Sequence, residues 1–470
     1  MRKFFLILIV NCARVALLAP LLIPSTRDCF AQSITWFKSY ASWEDDQGNA
    51  IIQTPDNGYI LVGLSSVFGL RTIRLNAYGD TIWNRIFPGS DGADIIKTND
   101  NNYIILGIYA VTKIDINGNI IWTKQPTESV VMGSIKEELN GNFLICGGKD
   151  TLGLYRKPYL LKLNTNGNMI WQKTFNGNIL DGLFSYVNLS NDNNYILTGS
   201  LTYLNDTNTN QLFVMKADTS GNQLAFYDYD TLYNGDFIHQ QLNGSFVVSG
   251  TGVSYLINID GNGTIQWYKR YLNGKPSYCG AISNTKDKGY VLTGAWDTAG
   301  NQNESSVFLI KTDSIGNESF IKAYLYAKND ADGGRGIKQT SDSGYVITGG
   351  RGNQNVGDII ALKTDKNGQI NTIGIQPISN IVPDISNLYQ NFPNPFNPVT
   401  KIRFDVHKNT FVNLKILSIL GQEITKLVSE KLSAGNYEVE FNGRNISSGI
   451  YFYKLSTDFY TETRKMILAK

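Results

Sequence analysis

Asn101-Asn-Tyr-Ile-Ile-Leu-Gly107, followed by Lys113-Ile-Asp-Ile-Asn-Gly-Asn-Ile-Ile-Trp122, is one copy of a two-part unit that recurs seven times between Ser33 and Ile370. The first part is a turn rich in Asn, Asp and Gly, an aromatic, a short β-prone run and a glycine. Asn57-Gly-Tyr-Ile-Leu-Val-Gly63 and Ser343-Gly-Tyr-Val-Ile-Thr-Gly349 are its first and last copies. The second part is an alternating strand, a Gly-containing turn and a strand that ends in an aromatic. That aromatic is Trp83, Trp122, Trp171, Phe226, Trp267 and Phe320 in the first six copies. Six periods separate Gly63 from Gly349, about 48 residues each, and four short strands in such a period predict a β-propeller blade. In the second copy the strands are expected at Ala93–Thr98, Tyr103–Gly107, Val111–Ile116 and Asn119–Lys124. The turns between the first and second strands, and between the third and fourth, suit positive φ. The second strand is apolar on both faces because each blade packs on two neighbours.

The ends of the array predict how it closes. The seventh copy stops at Asn367-Gly-Gln-Ile370 without an aromatic strand, while a stray one, Ser33-Ile-Thr-Trp-Phe-Lys-Ser-Tyr40, opens the body. Ile34–Tyr40 is therefore expected to complete the last blade, with Trp36 as the missing aromatic. A ring closed in this way has no unpaired blade edges at its ends, whereas an open solenoid has two. The expected fold is all-β: a seven-bladed β-propeller over residues 32–370 and a small antiparallel, Ig-like β-sandwich at the C-terminus. Residues 371–386, with Pro377 and Pro383 and no repeat, read as a linker.

The Asp-x-x-Gly-Asn-x-x-Trp run from Asp115 is similar to the blade-docking repeats of quinoprotein propellers and of exported bacterial repeat propellers. In those proteins the aromatic plugs one blade into the next. The resemblance implies architecture and no quinone.

The C-terminal 84 residues carry five ordered blocks. These are Asn387-Leu-Tyr-Gln-Asn-Phe-Pro-Asn-Pro-Phe-Asn-Pro398, Leu420-Gly-Gln-Glu-Ile424, Ser433-Ala-Gly-Asn-Tyr437, Ser447-Ser-Gly-Ile-Tyr-Phe-Tyr-Lys454 and Lys465-Met-Ile-Leu-Ala-Lys470. Residues 387–470 resemble a type A C-terminal sorting domain of the type IX secretion system, an export route of many Bacteroidota. The resemblance implies a secreted or outer-membrane surface-attached protein. Its partners would be the secretion machinery and the C-terminal signal peptidase that serves it. The signal positions it implies here are Pro393, Asn394, Pro395, Gly421, Gly435, Gly449 and Lys465. Alternation in this region predicts strands at Lys401–Val406, Val412–Leu417, Asn436–Phe441, Ile450–Leu455 and Thr461–Leu468.

Residues 1–31 read as a signal peptide. Met1-Arg-Lys3 is the charged start, two apolar runs follow, and Ala31 offers a cleavage site. Arg14, Pro20 and Pro24 argue against a membrane anchor, so no transmembrane segment is expected in the mature protein. Cys146 and Cys279 then remain and are expected to be free thiols.

Composition excludes several classes. Hydrophobic residues make up 42% and charged residues 17%, as in an ordinary folded chain. The body without its two ends is mildly acidic and has no Lys/Arg cluster, which leaves no footprint for nucleic acid. No zinc spacing, nucleophile elbow or P-loop occurs, and no cofactor, metal or catalytic residue is assigned. His239, in the fifth repeat, is the one candidate general base in the propeller.

The loops between second and third strands, and between blades, are long and irregular, and topology puts both on one face. Function gathers on such loops. Acidic residues recur at the entrances of the first strands, and Asp46, Asp94, Asp181, Asp236 and Asp332 are the candidate ligand-binding residues around the channel mouth. The expected function is a non-catalytic binding or adhesion module for an extracellular glycan or protein. The alternative is an extracellular hydrolase or lyase that uses the carboxylates of that face.

Overall fold

The computed structural model describes residues 34–470, except 41–44, 67–68, 127–128, 152–154, 231, 233, 251–253, 273–276, 297–304, 325–330, 354–355, 371–375, 380–382, 433 and 445. The segment read as a signal peptide lies outside the described residues. All regular structure among the described residues is β.

In the second repeat, Ser90–Lys97, Tyr103–Ile108, Ala110–Ile114 and Ile120–Lys124 form a four-stranded antiparallel sheet in chain order. The other repeats build the same sheet. Their first strands are Asp46–Gln53, Val130–Glu137, Ile179–Leu189, Phe237–Gln240, Ser277–Asn284 and Ala331–Gln339. Successive first strands touch one another, and the last touches the first, so the sheets stand as blades of a β-propeller around a channel. The final sheet takes its fourth strand from the other end of the body. Trp36–Tyr40 pairs antiparallel with Val356–Thr364, with Trp36 opposite Lys363.

One device joins each blade to the next. The turn between third and fourth strands is closed by an Asp or Asn side chain that accepts backbone N–H bonds, as Asp115 does from Asn117 and Asn119, both at 2.8 Å. The turn contains a glycine at positive φ, such as Gly118 at 77°. On that glycine lies the aromatic of the preceding blade. A methyl group on Gly118 would stand 3.1 Å from the Trp83 ring, and one on Gly79 would stand 2.8 Å from the Trp36 ring. Glycine is required there both for its φ and for the ring's close approach.

The cation two residues after the aromatic covers the same turn. Lys124 Nζ donates to Asn168 Oδ1 at 3.1 Å, Lys173 Nζ to Asn222 Oδ1 at 2.6 Å and Lys38 Nζ to Asp80 Oδ1 at 2.7 Å. The fourth repeat departs from expectation. Ala225 stands where the others have Trp or Phe, and Tyr227, in the cation's position, covers Gly263. Phe226 turns back into its own blade and stacks on Phe213 at 5.5 Å.

A second device staples most blades internally. In five repeats a third-strand cation reaches an Asp in the turn after the first strand, as in Lys113–Asp100 and Lys216–Asp192, both at 2.7 Å. Burial works to raise the Asp100 carboxyl, but hydrogen bonds from Lys113, Thr98 and Asn102 outweigh it. In Asp192 the Lys216 and Ser190 bonds dominate outright, and both groups sit well below the ordinary carboxylate range. A depressed folded value adds stability that is complete above about pH 4, the unfolded value, and is lost as pH falls through the folded one. Asp100→Asn with Asp192→Asn should therefore flatten the fall in Tm below about pH 4. Tm–pH curves parallel to the parent's would show that the pairs contribute nothing.

The first strands begin earlier than the sequence pattern predicts: the second starts at Ser90, not Ala93. The cause is a β-bulge at the same point in six repeats, which leaves Asn49, Ala93, Gly133, Ser185, Gly280 and Arg335 out of register. A bulge breaks the two-residue alternation, so residues beyond it do not read as strand.

Cys146 and Cys279 are buried free thiols in different repeats. Burial pushes both thiols up.

At the C-terminus two four-stranded sheets share one core that includes Phe396, Phe404, Leu414, Tyr453 and Leu468. One sheet orders Gln376–Ser379, Gly435–Asn442, Val399–Val406 and Asn387–Leu388. The other orders Glu423–Leu432, Thr410–Leu417, Gly449–Ser456 and Thr461–Leu468. Gln376–Ser379 falls in the segment read as a linker. It is an edge strand, where the missing N–H of Pro377 is tolerated. Glu423–Leu432 was not expected either, because Thr425-Lys426-Leu427-Val428 breaks the alternation where the register shifts.

Candidate functional site

A cavity of about 230 Å³ opens on the loop face where the sixth, seventh and first repeats meet. Its wall includes Asp45, Asp46 and Gln47 at the start of the first repeat and Tyr278 from the sixth. The seventh supplies Arg335 and Arg351 together with Gly333, Gly334, Gly350 and Gly357.

Asp46 is the expected residue that reaches this cavity. Its side chain is fully buried, and Oδ2 is ion-paired with Arg71, whose Nη1 also donates to the Tyr40 carbonyl at 3.2 Å. The other oxygen, Oδ1, has no hydrogen-bond partner among the described residues. A buried carboxylate oxygen left this way costs free energy.

Asp94 and Asp181 are used between blades. Asp94 Oδ2 accepts from Ser134 Oγ at 3.1 Å and from the Ile135 N–H at 3.2 Å, which ties the second blade to the third. Asp181 accepts from the Arg156 N–H at 2.6 Å, and the Arg156 guanidinium lies 3.7 Å from it. Asp236 donates its backbone N–H to the Ser249 carbonyl at 2.8 Å. Asp332 stands in a first strand, and its side chain lies outside the described residues.

The residues that give the cavity its character were not singled out in the sequence. Arg335 is the bulge residue of the seventh repeat, exposed, and forms no ion pair among the described residues. Arg351 Nη1 lies 3.9 Å from Asp358, which also accepts from Ser39 Oγ of the closing strand at 2.8 Å. Tyr278 is 44% exposed. Burial raises its phenol, with Arg335 opposing, so it stays a neutral donor and stacking surface at ordinary pH. Cations thus face the acidic wall, and the mouth is of mixed sign.

The sorting positions form a second constellation. Asn394 Oδ1 accepts from the Ile467 N–H at 2.9 Å, and the Phe396 N–H donates to the Ile467 carbonyl at 2.9 Å. The Ala469 N–H returns a bond to the Phe396 carbonyl at 3.0 Å, and Gln390 Nε2 donates to the Lys465 carbonyl at 2.9 Å. The Pro393 carbonyl accepts from Thr400 Oγ1 at 2.8 Å. Pro395 lies between these contacts. Gly421 closes a turn at φ 78°, and Gly435 and Gly449 begin strands. The first and last sequence blocks are therefore one clasp.

Residues 390–469 match the secretion system C-terminal sorting domain. The chain therefore carries the tail that directs export by the type IX route, to the cell surface or the medium. No curated protein matches the chain. Among solved structures, streptogramin B lyase is similar at 16% identity, with 71% of this chain and 99% of that one covered and a TM-score of 0.48. A Bacteroides caccae protein of unknown function matches at 14% identity, with 57% and 93% covered and a TM-score of 0.43. PorZ of Porphyromonas gingivalis, described as a surface component of the type IX secretion system, matches at 11% identity, with 89% and 59% covered and a TM-score of 0.42.

Proposed function

We propose that the exported chain is a seven-bladed β-propeller over residues 32–370, closed by residues 34–40, that works as a non-catalytic binding module for an extracellular glycan. Residues 387–470 form its Ig-like sorting domain. The observation that carries this reading is the loop-face cavity with Tyr278, Arg335 and Gln47 in its wall. Tyr278 offers a ring face, and Arg335 and Gln47 offer donors to sugar oxygens. Asp46 is already neutralised by Arg71, which disfavours its use as a general acid or base.

Glycan-array screening of the mature chain tests the reading. A hit should weaken at least about tenfold in Tyr278→Ala combined with Arg335→Ala, as for truncated central contacts. Unchanged affinity in the double variant would move the site elsewhere. Array silence combined with capture of a protein through the same residues would replace the glycan by a protein ligand.

A further inference from the structure

The inner strands carry a second cluster, deeper in the channel than the loop-face cavity. One position in each first strand stands opposite the residue after the aromatic of the second strand. In the third to seventh repeats this position holds Lys136, Asn188, His239, Ser283 and Lys338. In the first and second it holds Ile52 and Ile96. Equal register puts these residues at one level of the ring. The position before it is an Ile or Val in every repeat, for example Ile51, Ile135 and Ile337, and is buried between blades. The alternation of a strand therefore turns the polar set toward the channel.

Three basic side chains thus come from alternate blades, the third, fifth and seventh, with an amide and a hydroxyl between them. Lys136 Nζ lies 5.8 Å from the Tyr186 ring, in the layer above. His239 meets the Tyr290 ring edge-on at 6.4 Å. The acid that faces the cluster is Asp94, also in the layer above, and its Oδ2 is engaged by Ser134 and the Ile135 N–H. Lys136 and Lys338 form no ion pair among the described residues. Burial drives the Lys136 ammonium down, with Asp94 opposing. Burial and then the charge of Lys136 drive His239 down. A layer of two ammonium groups and an imidazole, apolar on its remaining arc, is complementary to a single oxyanion.

We propose that the propeller channel binds an oxyanion between Lys136, His239 and Lys338. The anion is either a free inorganic ion or the acid group of an organic ligand that enters from the loop face. The site is independent of the cavity lined by Tyr278 and Arg335.

The chain has two histidines, His239 and His407, so His407→Gln leaves one imidazole to follow by NMR in histidine-labelled full-length protein. In chloride buffer, added sulfate, phosphate, acetate or galacturonate should raise the His239 pKa by about one unit, because an adjacent negative charge favours imidazolium. Saturation by sulfate or phosphate identifies an inorganic ion, and saturation by the carboxylates an organic acid. Lys136→Gln and Lys338→Gln should each abolish most of the shift, while Lys136→Arg and Lys338→Arg retain it. A His239 pKa that no oxyanion moves in the parent overturns the proposal, whether or not the Gln variants fold. A shift of equal size in folded Gln variants overturns it too.

Discussion

Trp36→Ala should destabilise the propeller by about 3–5 kcal/mol, the range for emptying a large buried aromatic site. The indole is 6% exposed, packs edge-on against Tyr59 with centroids 5.6 Å apart, and donates from Nε1 to the Ala77 carbonyl at 3.0 Å. Its loss opens a cavity over the Gly79 turn and leaves that carbonyl short of a donor. Deletion of residues 32–40 should cost more. It also removes a whole strand from Val356–Thr364 and exposes an edge open to pairing with another chain. Chemical unfolding of parent, Trp36→Ala and deletion proteins checks both expectations. A deletion curve that overlays the parent's would mean that the ring is held shut by other means.

Removal of the sorting domain should change location without unfolding the propeller. The cut belongs after Ile370, because Gln376–Ser379 pairs with Gly435–Asn442 and would be left as an orphan strand by a cut at 387. The truncated protein should accumulate in the periplasm with its melting transition intact, and should be missing from the surface and the medium. Normal amounts outside the cell would refute the sorting role. A smaller change tests the clasp. Asn394→Ala removes the acceptor for the Ile467 N–H and should lower export while the propeller melts as before.

The architecture was legible because its signals are local and repeated. Turn residues, the aromatic after the turn and the glycine at the end of the second strand each meet one physical demand, and each recurs at a fixed spacing. The fourth repeat shows the limit. Phe226 is the obvious aromatic, yet adjacent residues in a strand face opposite ways, so Tyr227 shares the docking face with Ala225 and Phe226 does not. Strand entrances were misjudged for a related reason. The bulges shift the alternation by one residue, and no side chain announces them.

The loop-face cavity was half legible. Acidic residues at strand entrances mark the end of the blades where the cavity opens, and Asp46 is among the residues that line it. Arg335 and Tyr278 escaped notice because they come from other repeats, and only closure of the ring brings them beside Asp46. The channel layer was hidden by the same cause. Lys136, His239 and Lys338 are single residues about 100 positions apart, and equal register in separate blades is what sets them at one level.

Pairing of Trp36–Tyr40 with Val356–Thr364 also sets an order of events in time. Ser39 and Asp358, which share a hydrogen bond across this pair, are 319 positions apart. The strand that precedes all seven repeats in the chain is thus the last to find its place, and contacts of such long range are slow to form. Until the final repeat has arrived, an unpaired strand and its tryptophan stand exposed to every other chain nearby. A product cut short before Val356 can never shelter them, and so stays marked for holding chaperones and proteases, while the finished ring shows no such mark.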